Sequence, residues 1–314
     1  MLQLIALRVA MSVVSLFLAA AFAFSLVHLS PTDPVVLALG DGATAQQKLA
    51  LARELGLDQP ILMQLWNWGT RLLGGDLGQS IFAHKPVLDM IGEAMPVTVF
   101  LLAGASVLAV VIGVLIGSFA GLRPGSWADR LLNTGVSVAL ATPSFWLALL
   151  LGFLFAVKLR LVPVAGYTPF VDDPVAWAVG LILPCFALSV HGAAVISRHM
   201  RGAVIDVMDS AYITAARARG TPARLIARRY MLKNALVPIV PVIGIQVAVL
   251  LAISPVIEKV FVLPGLGTLM VNAVVTSDFP LLQGAILVIA TILIVVNFFV
   301  DVALGVLDPR IRPQ

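Results

Sequence analysis

Residues 209–238 read DSAYITAARARGTPARLIARRYMLKNALVP. This is the longest polar interval in the C-terminal two-thirds of a very apolar chain. It carries six of the twenty Lys and Arg: Arg217, Arg219, Arg224, Arg228, Arg229 and Lys233. Two short helices are legible in it. The first is expected over about 211–219, a stretch rich in alanine, the strongest helix former. Gly220 stands where a left-handed C-terminal residue is wanted, since it has no Cβ to clash. Thr221 suits the cap of a new helix and Pro222 its first position, where a missing N–H is harmless. That second helix is expected to reach about residue 233, with Leu225 and Leu232, and Ile226 and Tyr230, on neighbouring rows. The stretch therefore encodes a helix–glycine–helix elbow, basic on its surface and flanked by hydrophobic segments.

The flanking segments set the protein class. Hydrophobic residues make up 60% of the 314 and charged residues 11%, against roughly a quarter charged in a soluble domain. That excludes an ordinary soluble enzyme and a disordered chain. Six apolar segments are long enough to cross a bilayer, which takes about 20 residues: 9–29, 97–121, 131–157, 175–197, 235–257 and 281–300. None contains Lys, Arg, Asp or Glu. The first is longer than the apolar core of a secretory signal and lacks a small-residue cleavage site, so it reads as a retained anchor. A single cysteine, Cys185, excludes an internal disulfide framework and any multi-cysteine metal site. The expected fold is an all-α integral membrane protein with six transmembrane helices.

Charge orients it. With the N-terminus inside, the inner segments hold thirteen Lys and Arg and the outer ones seven, while eleven Asp and Glu fall outside and five inside. The inner basic excess predicts that both termini are cytoplasmic. On this reading residues 1–29 are an anchor helix, 30–96 an outer domain, and 97–314 the core membrane domain. Pro31 and Pro34 close the first span. In the outer domain Thr44 suits a helix cap, with Ala45, Leu49, Ala52 and Leu55 on one face and Gly56 as the stop. A second amphipathic helix is expected over 61–73. Its Trp66 and Trp68 read as headgroup-level residues. The glycine-rich run at 74–80, GGDLGQS, lacks the Lys-Ser/Thr of a phosphate-binding loop. Within the spans Gly113-x-x-x-Gly117 has the spacing for close helix approach.

Two readings of the elbow stand side by side on physical grounds: a cytoplasmic loop that is basic because such loops generally are, or a docking element. The residue pattern separates them. Thr214-Ala215-Ala216 followed by Gly220 keeps the Ala-Ala-x-x-x-Gly spacing of the EAA loop of bacterial ABC importer permeases. Tyr212, Thr214, Ala215, Ala216, Arg217, Arg219 and Gly220, then Leu232-x-Asn234-Ala235-Leu236-x-Pro238, resemble the dipeptide/oligopeptide/nickel branch of that family. Thr214 replaces the Glu of the general motif and Lys233 its Pro, departures usual in this branch. LSPTDP at 29–34, LGLDQP at 55–60, GDLGQS at 75–80, the Val260–Gly267 stretch and Asp308-Pro309-Arg310 are similar to further signatures of the branch, so the resemblance covers nearly the whole chain.

That resemblance implies a type I ABC importer permease architecture, with a periplasmic domain between helices 1 and 2. It implies a permease subunit for di- or oligopeptides, of the kind conventionally named first in a heterodimeric pair, in the bacterial inner membrane. Nickel chelates and glutathione-like conjugates are alternative cargoes. The implied partners are a second homologous permease, two cytoplasmic ATPases and a solute-binding protein. The loop 209–238, through Tyr212, Thr214, Ala215, Ala216, Arg217, Arg219, Gly220 and Asn234, would then seat in a cleft of an ATPase subunit. ATP and Mg would be held by those partners, since no Walker motif occurs in this chain. The Pro264-Gly265 turn, with its apolar flanks, would suit a re-entrant hairpin at the outer mouth.

Polar groups within the spans are functional candidates by default. His191, Gln246, Gln283 and Asn297 are therefore candidate cavity-lining residues, the competing role being a hydrogen bond to a neighbouring helix. Ser197 near His191 and His199 raises an intramembrane hydrolase, but no GxSxG elbow, orienting acid or HExxH accompanies them. A stand-alone secondary carrier would need ionisable groups in its spans, and these hold only His28 and His191.

Overall fold

The computed structural model describes residues 2–29, 34–39, 42–54 and 58–307. Pro31-Thr32-Asp33, the expected stop at Gly56 and the closing Asp308-Pro309-Arg310 lie outside the described residues. Within them the chain is helical: α1 (Leu2–Leu29), α2 (Pro34–Leu39), α3 (Ala45–Glu54), α4 (Ile61–Leu73), α5 (Val87–Leu122), α6 (Trp127–Ala141), α7 (Ser144–Leu151), α8 (Pro174–Met208), α9 (Ala211–Ala218), α10 (Ala223–Leu225), α11 (Leu232–Leu236), α12 (Ile239–Val260), α13 (Leu266–Thr276) and α14 (Phe279–Leu307). π-helical turns extend α7 over Gly152–Lys158 and join α10 to α11 over Ile226–Met231.

Five helices, α1, α5, α8, α12 and α14, contain stretches long and apolar enough to cross a membrane. Over the expected span 131–157 the helix is broken: α6 and α7 with its π extension meet at a 101° bend. Pro143 has no N–H to continue α6 and pushes Thr142 out of the helical region, to φ −86° and ψ 122°. The Thr142 hydroxyl donates to the Val138 carbonyl at 2.8 Å, which the Thr142 N–H also reaches at 3.0 Å, so both brace the last turn of α6. Hydropathy misses such a break because the apolar run passes straight through it. It also misses where helices end. Helix α5 begins ten residues before the apolar segment at 97, and α8 runs past residue 197 through Arg198 and Arg201 to Met208.

The chain divides into two compact units. One comprises Val97–Pro264 and Val295–Gln314, the other Leu2–Pro96 and Gly265–Ile294. In the first, α5 and α8 approach closely. A Cβ on Gly113 would meet the Ala193 carbonyl at 2.8 Å, and one on Gly121 would meet Val204 Cβ at 2.8 Å. Gly117, between them, would fall as close to Met200 Cβ, at 2.7 Å. The i, i+4, i+8 spacing makes these glycines one stripe. Ala109, Ala193, Ile196, Met200, Val204, Met231, Ala235 and Ile239 form the core beside them. Thr98 Oγ1 donates to Glu258 Oε1 at 2.7 Å, and the Glu258 side chain is fully buried.

In the second unit Val87, Ile91, Leu266, Ala273 and Leu281 pack together, with Leu77 of the glycine-rich loop against them. Buried Asp278 accepts from Ser80 Oγ at 2.5 Å and from the Leu281 N–H at 3.4 Å, so it ties the GDLGQS loop to the start of α14. Thr44 does cap α3: its N–H and hydroxyl reach Gln47 Oε1 at 2.9 Å, and the Gln47 N–H returns to Thr44 Oγ1 at 3.3 Å. Helix α4 occupies the expected 61–73. After α12 the chain turns at Phe261-Val262, with Val262 left-handed at φ 54°, and bends again at Gly265, which is extended at φ −95° and ψ 178°.

Candidate functional site

The elbow is built as read, with two local corrections. Helix α9 ends at Ala218, and Gly220 follows at φ +72°. Its N–H donates to the Arg217 carbonyl at 2.9 Å and the Thr221 N–H to the Ala216 carbonyl at 3.1 Å. These bonds satisfy the orphan carbonyls of α9, as a left-handed C-terminal glycine allows. The next helix begins one residue later than expected. Pro222 is the cap residue, at φ −58° and ψ 140°, and Ala223 the first helical one. The Pro222 carbonyl accepts from the Leu225 and Ile226 N–H groups at 2.9 and 3.1 Å. A prolyl ring suits either position, so the dipeptide alone does not fix the register. The second helix also runs past residue 233, through the π turns to Leu236.

Packing separates an inner from an outer face. Ile213, Ala216 and Ile226 are buried against each other, with Val207, Met208 and Tyr230 around them. Ala216 thus belongs to the hinge between the two helices. Tyr212, Thr214, Ala215, Arg217, Arg219, Gly220 and Asn234 are exposed, as are Arg224, Arg228, Arg229 and Lys233. Asn234 Nδ2 donates to the Tyr230 carbonyl at 2.7 Å, which braces the turn after the π stretch. The open face is basic, with small residues between the cations. A Cβ built on Gly220 meets nothing within 4 Å, so within the chain the glycine answers a backbone angle and not a crowded neighbour.

An ion pair missed by sequence reading lies in the same unit. Arg201 Nε and Nη2 donate to the two carboxylate oxygens of Asp129 at 2.7 and 2.8 Å. Asp129 also accepts from the Gly125 N–H at 2.9 Å and from Asn133 Nδ2 at 2.6 Å, and is only 3% exposed. It sits in the first turn of α6, where Ser126 Oγ accepts its N–H at 3.1 Å. The fork fastens the start of α6 to α8, seven residues before α8 gives way to the elbow. The partners are 72 residues apart, and each reads in isolation as one more charge beside a span.

The candidate cavity residues do not form one constellation. Gln246 is buried on α12 and its Oε1 has no hydrogen-bond partner. His191 is half-buried on α8 and Asn297 exposed on α14. Gln283 belongs to the other unit, where its Nε2 donates to the Ala23 carbonyl at 3.3 Å, the helix-bonding alternative. An apolar cleft of about 270 Å³ in the first unit lies among Ile112, Leu132, Val136, Phe186 and Val190, with none of the four polar residues in its lining. Ser197 is buried while His199 is exposed and bonded to the Val195 carbonyl at 2.9 Å, so these two do not share a face.

An apolar helical chain with a basic elbow between long helices has the character of a multi-pass membrane protein. Comparison with known proteins makes this specific. Residues 113–313 match the family described as binding-protein-dependent transport system inner membrane component, and residues 1–102 match the N-terminal model of such membrane components. The chain belongs to this family: it is the permease component of an ABC importer, a transport subunit, with ATPase activity on separate subunits. It is 37% identical over 99% of both chains to a Brucella abortus protein named as a peptide transport system permease. It is 35% identical over 95% of both chains to a glutathione transport system permease of Escherichia coli O6:H1. Among solved structures, a chain of the inward-facing MetNI methionine ABC transporter superposes with TM-score 0.58 at 18% identity. That match covers 70% of this chain and 97% of that one and shows a shared fold.

Proposed function

We propose that this subunit forms, with a second homologous permease, an ATP-driven import path for di- and oligopeptides. The observation that carries the coupling role is the elbow: a two-helix element held by its own small core, presenting exposed cations and Gly220 outward. Closure of the two ATPases on ATP and Mg would move this element as one piece. Packed helix pairs switch between arrangements more readily than they deform, so α8 and α12 would follow and the path would alternate its access. The chain binds no nucleotide itself, in keeping with the absence of a phosphate-binding loop.

The bent pair α6–α7 counts as one span in this reading, giving six. Both termini and the elbow face the cytoplasm and residues 30–96 face the periplasm, on the strength of the charge asymmetry. His191, Gln246, Gln283 and Asn297 are each candidates for the path. Peptide cargo rests on the relatives' names, with a glutathione conjugate as the second reading because one such relative is a glutathione permease. The test is ATP-dependent uptake of a labelled dipeptide by the complete transporter in proteoliposomes with its solute-binding protein. Unlabelled peptides should compete and glutathione should not. In a parallel assay, uptake of labelled glutathione without uptake of the dipeptide would establish the second reading, and uptake of neither would remove both.

A further inference from the structure

We propose that α4 is an interfacial helix, lying at the membrane boundary with Leu62, Trp66 and Leu73 in lipid. No side chain of α4 is buried, although nine of its thirteen residues are Ile, Leu, Met, Trp or Gly. Its apolar arc is wider than the protein covers. Leu65, Trp68 and Leu72 share one row and are half-buried. Trp68 packs against Phe24 of α1, the rings tilted at 45° with centroids 5.8 Å apart. The adjacent row is left open: Leu62 is 81% exposed, Trp66 69% and Leu73 90%. Gln64, Asn67 and Arg71 occupy the opposite side. Gln64 and Asn67 are tied to Gln59 at 2.8 and 2.9 Å, so the polar face is set by the chain that enters the helix.

The occupant follows from what α4 is attached to. Phe24 stands near the end of the candidate span Arg8–Val27, only 6% of which is buried within the protein. Val13, Phe17, Leu18 and Phe22 of that span are more than half exposed, as befits a helix whose surroundings are acyl chains. The Trp68–Phe24 contact holds α4 beside the end of this lipid-facing surface, and the Leu62–Trp66–Leu73 row continues it. A helix with one apolar and one polar face, carrying tryptophan at the seam, is the form that lies in the headgroup region. An open apolar row facing water would be an association hazard in a subunit of a multi-chain assembly.

The experiment uses the complete transporter in vesicles of phosphatidylethanolamine with a minor share of phosphatidylglycerol. Nitroxides are placed through Leu62→Cys, Trp66→Cys and Leu73→Cys, and through Asn67→Cys and Arg71→Cys. The parent chain, with its buried Cys185, serves as the blank. Labels at 62, 66 and 73 should lose collisions with a water-soluble nickel chelate and gain collisions with oxygen, while those at 67 and 71 keep the nickel collisions. Free access of nickel to 62, 66 and 73 would mean that the row faces water. Shielding from both reagents would mean that a partner protein covers it. Either outcome overturns the proposal. Should the cysteine variants fail to accumulate, the unmodified chain is photolabelled with a phospholipid bearing a diazirine near its headgroup. Adducts within 61–73 are expected, and their absence overturns the proposal equally.

Discussion

Gly220 shows how far a single residue can be read. Its φ of +72° is a conformation that costs a side-chain-bearing residue roughly 1–2 kcal/mol. No atom of the chain lies where its Cβ would be. Gly220→Ala should therefore lower stability only modestly and leave membrane abundance near the parent level. Gly220→Val adds branching at the same angle, and any loss of uptake beyond that of alanine must come from whatever covers the turn in the assembly. Uptake, abundance and co-purification of the ATPases are the measurements, with Thr221→Ser as a near-neutral control. Transport by Gly220→Val equal to the parent would show that no partner seats on the turn. The Asp129–Arg201 fork behaves differently. Arg201→Ala strands a carboxylate that is almost wholly buried, and breaking such a pair costs about 3 kcal/mol at the low end of its range. The low end applies because the guanidinium is 29% exposed. Asp129→Asn keeps one acceptor oxygen, enough for either the Gly125 N–H or the Asn133 amide, and leaves a cation that water can reach, so it should lower the thermal midpoint of the purified protein less. Arg201→Lys should fall between, since an ammonium lacks the planar fork. Equal midpoints for Arg201→Ala and Asp129→Asn would remove this account of the pair.

At the scale of elements, the glycine stripe of α5 decides how closely two helices meet. An alanine at Gly117 would set its Cβ 2.7 Å from Met200 Cβ, against the body of α8 and not a flexible tip. Overpacking of this kind costs about 1–3 kcal/mol. Gly117→Ala should reduce membrane abundance and lower the thermal midpoint. Gly202→Ala on α8, where a Cβ meets nothing within 4 Å, should be neutral or stabilising by up to about 1 kcal/mol through helix propensity. Matched effects of the two would mean that the α5–α8 distance is not what the stripe sets. These helices also show what a sequence discloses. The elbow was legible because its chemistry is local: an alanine run, a glycine able to adopt a left-handed angle, a proline that starts a helix. The Gly113–Gly117 spacing was legible for the same reason, and α4 through its period. The bend at Thr142-Pro143 was not, because apolar residues continue on both sides. The buried pairs Thr98–Glu258 and Asp129–Arg201 were hidden by sequence separations of 160 and 72 residues. Ala216 looked like part of the docking motif, yet it packs inward, since which face of a short helix is covered depends on the helix that folds back on it.

For the whole molecule, the open question is whether the bent pair α6–α7 crosses the bilayer, and topology answers it by parity. Between residues 83 and 223 the chain passes through α5, the bent pair and α8. If the pair is one span, three crossings intervene and the two positions lie on opposite sides. If it enters and leaves by the same face, two crossings intervene and they lie on the same side. Charge alone does not separate the two: the first divides the basic residues thirteen to seven and the second fourteen to six. The structure also selects the reporters. Ser80 is 2% exposed and bonded to Asp278, so a probe there would disturb the loop it reports on. Ala83 on the same loop and Ala223 on the elbow are exposed. Cys185 is buried and packed near Gly104, so it is better kept as a silent background than replaced. Ala83→Cys should react with an impermeant maleimide in intact cells whose outer membrane has been permeabilised. Ala223→Cys should react only after the inner membrane is broken. Reaction of 223 alone in intact cells would invert the orientation while sparing the six-span count. Reaction of both, or of neither, would make the bent pair re-entrant. The span count would then be five, with the N- and C-terminal ends on opposite faces of the membrane.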